Sequence, residues 1–332
     1  MEYAPTANIG DAFYQGALLN LLRNLRPFDE VSTLDGPPGR SFRHDGRFRE
    51  NIFDIRIHYA ADIWCFSGPI LNDRFMERYA PLIVELRSAG KQYMMLSCAG
   101  PHNCESRRDI KAFLRQYPPI AFSTRSEITY EQYRDISDDS YNGVCAAFFS
   151  SFLFTPPIER KKWIVSSFYS GLEPDISFTT FLDGSIDIDS VQIKEKKYPL
   201  WRIIRHIEWL RPFPEDVAGY KIIRPVHDLS YKFGHMNFGK PNSYLSPDPF
   251  SYLSIYAASD LTISDRIHAC VASLSFGNPA IVCGKWDRID LMSRMGIGKK
   301  GLYLLPPSRE QIKKEYQNFS SWLSNRLENA LL

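Results

Sequence analysis

The chain has 332 residues, 44% of them hydrophobic and 23% charged, a composition ordinary for a globular protein and a length that suits two domains. Its 40 basic and 38 acidic residues leave a net charge of +2, which argues against a nucleic-acid binder but allows a local basic pocket for a small anion. No apolar run reaches roughly 18 residues, and the N-terminus lacks a basic stretch followed by an apolar one, so neither a membrane span nor a secretory leader is expected and the cytoplasm is the expected compartment.

Apolar residues at Phe13, Ala17, Leu18, Leu21, Leu22 and Leu25 predict a helix over Asp11–Phe28. A short strand is expected at Val31–Leu34, followed by a polar loop over Gly36–Arg49. Asp62–Ser67 reads as a buried strand stopped by Gly68-Pro69, and Arg74–Ala89 as a helix ending at Gly90. Strands at Tyr93–Ser97, Ile120–Thr124 and Val144–Phe149 alternate with helices at Arg108–Gln116 and Glu127–Ile136. Two prolines after Thr155 interrupt this rhythm.

The second half restarts with a strand at Trp163–Phe168 and a stretch over Gly171–Lys197 that fits no pattern. Tyr198–Leu210 reads as a helix and Tyr220–Val226 as a strand. Then come a helix at Pro249–Ala258, a strand at Leu261–Ser264, a helix at Ile267–Phe276, a strand at Ala280–Cys283 and a helix at Arg288–Met295. Arg309–Leu331 is expected to form a last helix. Alternation of this kind predicts an α/β fold with mainly parallel sheets. The expected domains are 1–155 and 156–308, with 309–332 packing back on the first. In open α/β sheets ligands bind beyond the carboxyl ends of the strands, so the loops leaving the strands are where chemistry is sought.

The sharpest of these loops is Asp260-Leu-Thr-Ile-Ser-Asp265-Arg266-Ile267-His268, where a strand runs straight into a helix. A helix N-terminus favours anions, Arg266 offers a fork for carboxylate or phosphate, and His268 can move a proton near neutral pH. A capped helix with a chance arginine and a packed histidine fits the same residues, and Asp265 either caps the helix or orients Arg266. Asn8-Ile9-Gly10-Asp11 precedes the first helix; Gly10 allows close backbone approach, and Asp11 alone reads most simply as an N-cap. Arg125 stands at another strand end, with Ser126 as N-cap of the next helix. His227, His235 and Lys240 follow the strand that ends near Val226, where they hold an anion or a sugar or simply line a solvated loop. Arg40, Arg43, Arg47 and Arg49, interleaved with Phe42 and Phe48, form either a polyanion or lipid contact or a solvated loop. No GxxxxGK[ST], strand-linked GxGxxG or GxSxG motif occurs. The six cysteines include no CxxC pair and read as buried free thiols, so neither a metal nor a cofactor is expected.

In order, the NIGD start, the strand DIWCFSGP, a strand ending in arginine and the block ASDLTISDRIHACVASLSFGNPAIV resemble the polysaccharide pyruvyl transferases. The resemblance spans roughly 7–297 and departs at Ser67-Gly68-Pro69, where the family has a Gly-Gly. It implies two Rossmann-like domains in a GT-B-like arrangement, with the acceptor on the first and the donor on the second. It implies transfer of pyruvate from phosphoenolpyruvate to a sugar of a cell-surface polysaccharide or its precursor, forming a ketal. Arg266 and His268 then match the catalytic Arg and His, and Asn8, Gly10, Asp11 and Arg125 match recurring positions. The acceptor would be a glycan or lipid-linked sugar, with peripheral membrane contact through the arginine loop. Two alternatives share the architecture: a sugar-nucleotide glycosyltransferase, and a degenerate glycan-binding module.

Overall fold

The computed structural model describes residues 2–3, 8–32, 34–35, 60–101, 103–137, 139–168, 172–194, 212–227, 239–283, 286–297, 299–300 and 303–331. The arginine loop, the expected helix at Tyr198–Leu210 and His235 lie outside them.

A two-residue strand β1 (Glu2–Tyr3) pairs in parallel with β2 (Leu34–Asp35), slightly beyond the expected Val31–Leu34. Between them runs α1 (Ile9–Leu25), apolar on nearly every face, with Ile9, Phe13, Tyr14, Leu18 and Leu21 all out of solvent. A helix apolar all round has to be enclosed by other elements, and α1 is enclosed by both halves of the chain.

The first sheet is wholly parallel, in the order β3 (Ile63–Gly68), β4 (Gln92–Cys98), β5 (Phe122–Thr124), β6 (Tyr141–Asn142). The expected helix at Arg74–Ala89 is two, α2 (Phe75–Arg78) and α3 (Ala80–Ser88). Pro81 has no N–H for the Glu77 carbonyl, so the helix breaks at Tyr79. α4 (Arg107–Gln116) and α5 (Glu127–Tyr133) lie near their expected places. The strand expected at Val144–Phe149 is a 3-10 turn, Ala146–Phe149, running into α6 (Ser150–Leu153). A short, continuous apolar run reads the same as strand or buried helix, and periodicity cannot separate them. Here the Ala146 amide donates to Ser97 Oγ at 3.2 Å rather than to a strand.

The second sheet has a parallel centre, β11–β7–β13–β14, built from β7 (Trp163–Ser167), β11 (Tyr220–Pro225), β13 (Leu261–Ser264) and β14 (Ala280–Val282). The stretch that fitted no pattern forms a hairpin of β8 (Asp175–Ser177) and β9 (Gln192–Lys194). Edges come from β10 (Asp216–Val217), β12 (Ser243–Tyr244), β15 (Lys299–Lys300) and β16 (Tyr303–Leu304). α7 (Pro249–Ala258) and α8 (Ile267–Ser275) connect the central strands, while Trp286–Met295 is a 3-10 helix where an α-helix was expected. From β7 the chain winds first to β11 and then back across to β13, so the order reverses between β7 and β13. A doubly wound sheet opens a crevice at the carboxyl ends of such a pair.

The last helix, α9 (Arg309–Leu331), returns to the first sheet. Phe319 and Trp322 meet the Tyr141 ring at 5.3 and 5.0 Å, and Arg326 Nε donates to the Ile120 carbonyl at 2.9 Å. One apolar core joins α1, α6, α7, α8 and α9. Two smaller cores lie under the outer sides of the sheets. The arrangement is the expected one of two Rossmann-like units, with the ends of β3–β5 and of β7 and β13 near α1.

Candidate active site

Three helix starts supply the site. At α1, Asn8 is extended and its Oδ1 accepts the Gly10 amide at 3.1 Å, so Asn8 rather than Asp11 is the N-cap. Asp11 is the third residue of the helix, in its first turn. At α8, Arg266 occupies the cap position, and its amide donates to Ser264 Oγ at 2.9 Å; Asp265 is therefore not the cap. Ser264 Oγ in turn donates to the Ser167 carbonyl, which fastens β13 to β7 at the crevice. At α5, Ser126 Oγ accepts the Thr129 amide at 3.3 Å, the expected cap. Arg125 directly precedes it and is held by its own amide on the Cys98 carbonyl at 3.0 Å.

These starts bring Asp11, Arg125 and His268 together, each less than a tenth exposed. His268 Nδ1 lies 3.6 Å from Asp11 Oδ1, and its Nε2 lies 3.4 Å from Arg125 Nη1. The imidazole of His268, from the second half of the chain, is thus set between a carboxylate and a guanidinium that both come from the first half. Tyr14, one turn further along α1, lies beneath both: its ring is 5.2 Å from the His268 ring and 5.4 Å from the Arg125 guanidinium carbon. Gly68, at φ +91°, makes room for Tyr14; a Cβ there would fall 2.2 Å from the phenol oxygen. Gly10 has a similar reason, since a Cβ would meet His268 Cβ at 3.1 Å and His227 Nδ1 at 3.4 Å.

His227 joins the site from the end of β11. Its carbonyl accepts the Ile9 amide at 3.0 Å and its Nε2 lies 2.5 Å from the Tyr256 hydroxyl. Burial, then the Arg266 charge, then His268 push its pKa well below the usual imidazole range, so the ring is neutral. Burial likewise raises the Tyr256 phenol, which stays protonated. Cys145 is buried within reach of the Arg125 and Asp11 charges, its thiol pushed up by burial and therefore unreactive. Among the described residues, Arg125 and Arg266 bring two guanidinium groups and Asp11 one carboxylate, with helix N-termini adding partial positive charge. That is a surplus suited to an anion.

Lys240 belongs elsewhere. Its ammonium is 4.6 Å over the Phe213 ring and 3.8 Å from Glu173 Oε2. Glu173 is gripped by Arg224, with Nε 3.0 Å from both carboxylate oxygens, in a buried knot that ties the 172–194 segment to β11. Tyr14, Tyr256 and Cys145 were not singled out in the sequence. Tyr14 carried a usable signal, being three and four residues after Asp11 and Gly10 and hence on their helix face; Tyr256 and Cys145 carried none beyond apolar runs. Among the described residues no group of His, Cys, Asp and Glu has the arrangement to hold a metal ion.

The polysaccharide pyruvyl transferase profile matches residues 8–285, most of the chain and every site residue described above. The chain belongs to that family. Comparison with curated proteins returns no match. Among solved structures, the S. aureus MnaA–UDP co-structure superposes with a TM-score of 0.52 at 10% identity, covering 97% of this chain and 87% of that one. A putative UDP-N-acetylglucosamine 2-epimerase from Listeria monocytogenes follows at a TM-score of 0.49 and 11% identity, covering 98% and 89%. At such identity the likeness is one of fold, two Rossmann-like units in a GT-B-like arrangement.

Proposed function

We propose that the protein transfers pyruvate from phosphoenolpyruvate to a sugar of a polysaccharide or its precursor, forming a cyclic ketal. The observation that carries this reading is His268 set between Asp11 and Arg125, with Arg266 at the adjoining helix start. Phosphoenolpyruvate is doubly anionic in character, a carboxylate and a phosphate on one vinyl carbon. Arg125 and Arg266 hold these groups, and the α8 N-terminus adds its dipole.

His268 is the acid. It delivers a proton to the terminal vinyl carbon, and the adjacent carbon becomes the electrophile. One sugar hydroxyl attacks that carbon and returns its proton to His268. The C–O bond to phosphate breaks, phosphate departs, and a second hydroxyl closes the ketal as its proton leaves with phosphate. Asp11 steadies the imidazolium before the first proton leaves and after the second arrives, and Arg125 steadies the charge on the departing phosphate. The acceptor enters from the first half and the donor sits on the second, following the 1–155 and 156–308 division. Among the described residues no helix is long and apolar enough to cross a membrane.

The test is a thermal-shift titration with phosphoenolpyruvate, coupled to phosphate release in the presence of candidate sugars. Ligand at about 100 times Kd adds about 2.7 kcal/mol of stability. Stabilisation by phosphoenolpyruvate that disappears in Arg266→Ala is the expected result. Because the S. aureus structure of like fold holds UDP, UDP and UDP-sugars form the competing arm. Stabilisation by these alone would replace the reading with a sugar-nucleotide glycosyltransferase, and silence from all ligands would favour a glycan-binding module.

A further inference from the structure

His227 and Tyr256 are too deeply enclosed to be reached by a substrate, at 1% and 0% exposure. Yet they lie where the second half of the chain meets the first turn of α1, beside the His268 contact. The His227 carbonyl takes the Ile9 amide, and the ring edge at Nδ1 backs onto Gly10. Phe13 packs edge-on against both rings, at 5.7 Å from His227 and 6.0 Å from Tyr256. Tyr252 closes the other side of the imidazole at 5.3 Å. The Tyr256 hydroxyl, at 2.5 Å from Nε2, is the hydrogen bond that fixes how the imidazole is turned.

We infer that His227 and Tyr256 are a positioning pair that sets the α1 start so that Asp11 meets His268. The inference rests on the reading of His268 as the acid. A turn of the imidazole presses on Gly10, which Nδ1 faces, and Asp11 moves with Gly10 because both belong to one helical turn, while the His227 carbonyl keeps hold of the Ile9 amide. Tyr256 therefore acts on the reaction through three links: His227, the α1 start and Asp11.

Among the described residues, charged and titratable neighbours of His268 include Asp11 and Tyr14 from α1, Arg125 from the β5 end, and His227 with Arg266 from the second half. Asp11 is the acid among these, and it favours the imidazolium while the arginines oppose it. Loss of the Asp11 contact therefore lowers the pH at which His268 titrates.

The experiment follows the His268 ring by NMR titration, beside turnover, in wild type, Tyr256→Phe, Asp11→Asn and the double variant. Tyr256→Phe is expected to lower the His268 midpoint in the same direction as Asp11→Asn. It is expected to lower kcat by about tenfold, with KM for phosphoenolpyruvate changed less than about threefold. In the Asp11→Asn background the same change has no further effect, since the two act along one path. His227→Gln, which restores an amide where Nε2 stood, recovers most of the kcat lost in His227→Ala, and it serves if Tyr256→Phe fails to fold. A folded Tyr256→Phe whose His268 titrates as in wild type overturns the inference, as does full additivity with Asp11→Asn. If wild type turns out to release no phosphate from phosphoenolpyruvate, the proposed function falls, and the titrations still decide whether the pair positions Asp11.

Discussion

Asp11 and His268 stand 3.6 Å apart, carboxylate to Nδ1, although one opens the first helix of the chain and the other opens α8. Each side chain is about one-tenth exposed, so water screens the contact little. His268→Ala is expected to lower kcat by ~10²–10⁴-fold, the usual worth of a positioned acid or base. Asp11→Asn keeps the shape but loses the charge, and a fall of about tenfold is expected, equal to about 1.4 kcal/mol of barrier. Steady-state phosphate release with both variants checks the order.

Gly68 tests the packing beneath the site. An alanine there faces a left-handed backbone at φ +91° and the Tyr14 hydroxyl at 2.2 Å. Gly68→Ala is expected to lose at least about 1–2 kcal/mol from backbone strain alone. Because Tyr14 touches both His268 and Arg125, activity per folded molecule falls as well. Urea unfolding and turnover measured on the same preparation separate the two effects.

Glu173 and Arg224, at 5% and 4% exposure, make a buried pair far from bulk water. Removal of one partner strands the other, and Lys240 as well. Glu173→Ala is expected to cost about 3–5 kcal/mol. Turnover by the fraction that remains folded is expected to stay near wild type, because this knot holds the 172–194 segment and not the acid. Denaturant midpoints together with activity corrected for folded fraction give the answer.

The neutral His227 makes stability depend on pH in a predictable direction. Its pKa in the folded protein lies well below the unfolded value of about 6.5. Between those two values the unfolded chain binds a proton that the folded chain refuses, so folding stability falls as pH drops below about 6.5. The slope from this one group approaches about 1.4 kcal/mol per pH unit until the folded pKa is reached. His227→Gln removes that contribution, so urea midpoints of the variant and the wild type converge as pH falls from 7 to 5.

Much of the fold is legible along the chain because its elements are long or sharply bounded. Pro249–Ala258, Leu261–Ser264 and Arg309–Leu331 stand where residue pattern puts them, each with a proline, a polar cap or a strong apolar period at its edge. The errors fall on segments where local pattern is silent. Val144–Phe149 is apolar throughout and became a 3-10 turn, its amides taken by the Ser97 side chain and the Cys145 carbonyl rather than by the backbone of a neighbouring strand. At 74–89 the reason is different: Pro81 divides a continuous helical pattern into two helices at Tyr79.

The site divides in the same manner. The sequence determined that Arg125 and Arg266 stand at strand-to-helix transitions and that Asn8 stands just before a helix, because caps, glycines and apolar runs are local features that fix local backbone. It also marked His268, one residue into α8, as a group able to move a proton. Only the tertiary structure decided that Asp11 is released from capping to face His268, that Lys240 is claimed by Glu173, and that Tyr14, Tyr256 and Cys145 matter at all. Those outcomes depend on which residues meet when two sheets close on α1. Burial of that apolar helix is a summed, long-range effect that no window of neighbouring residues contains.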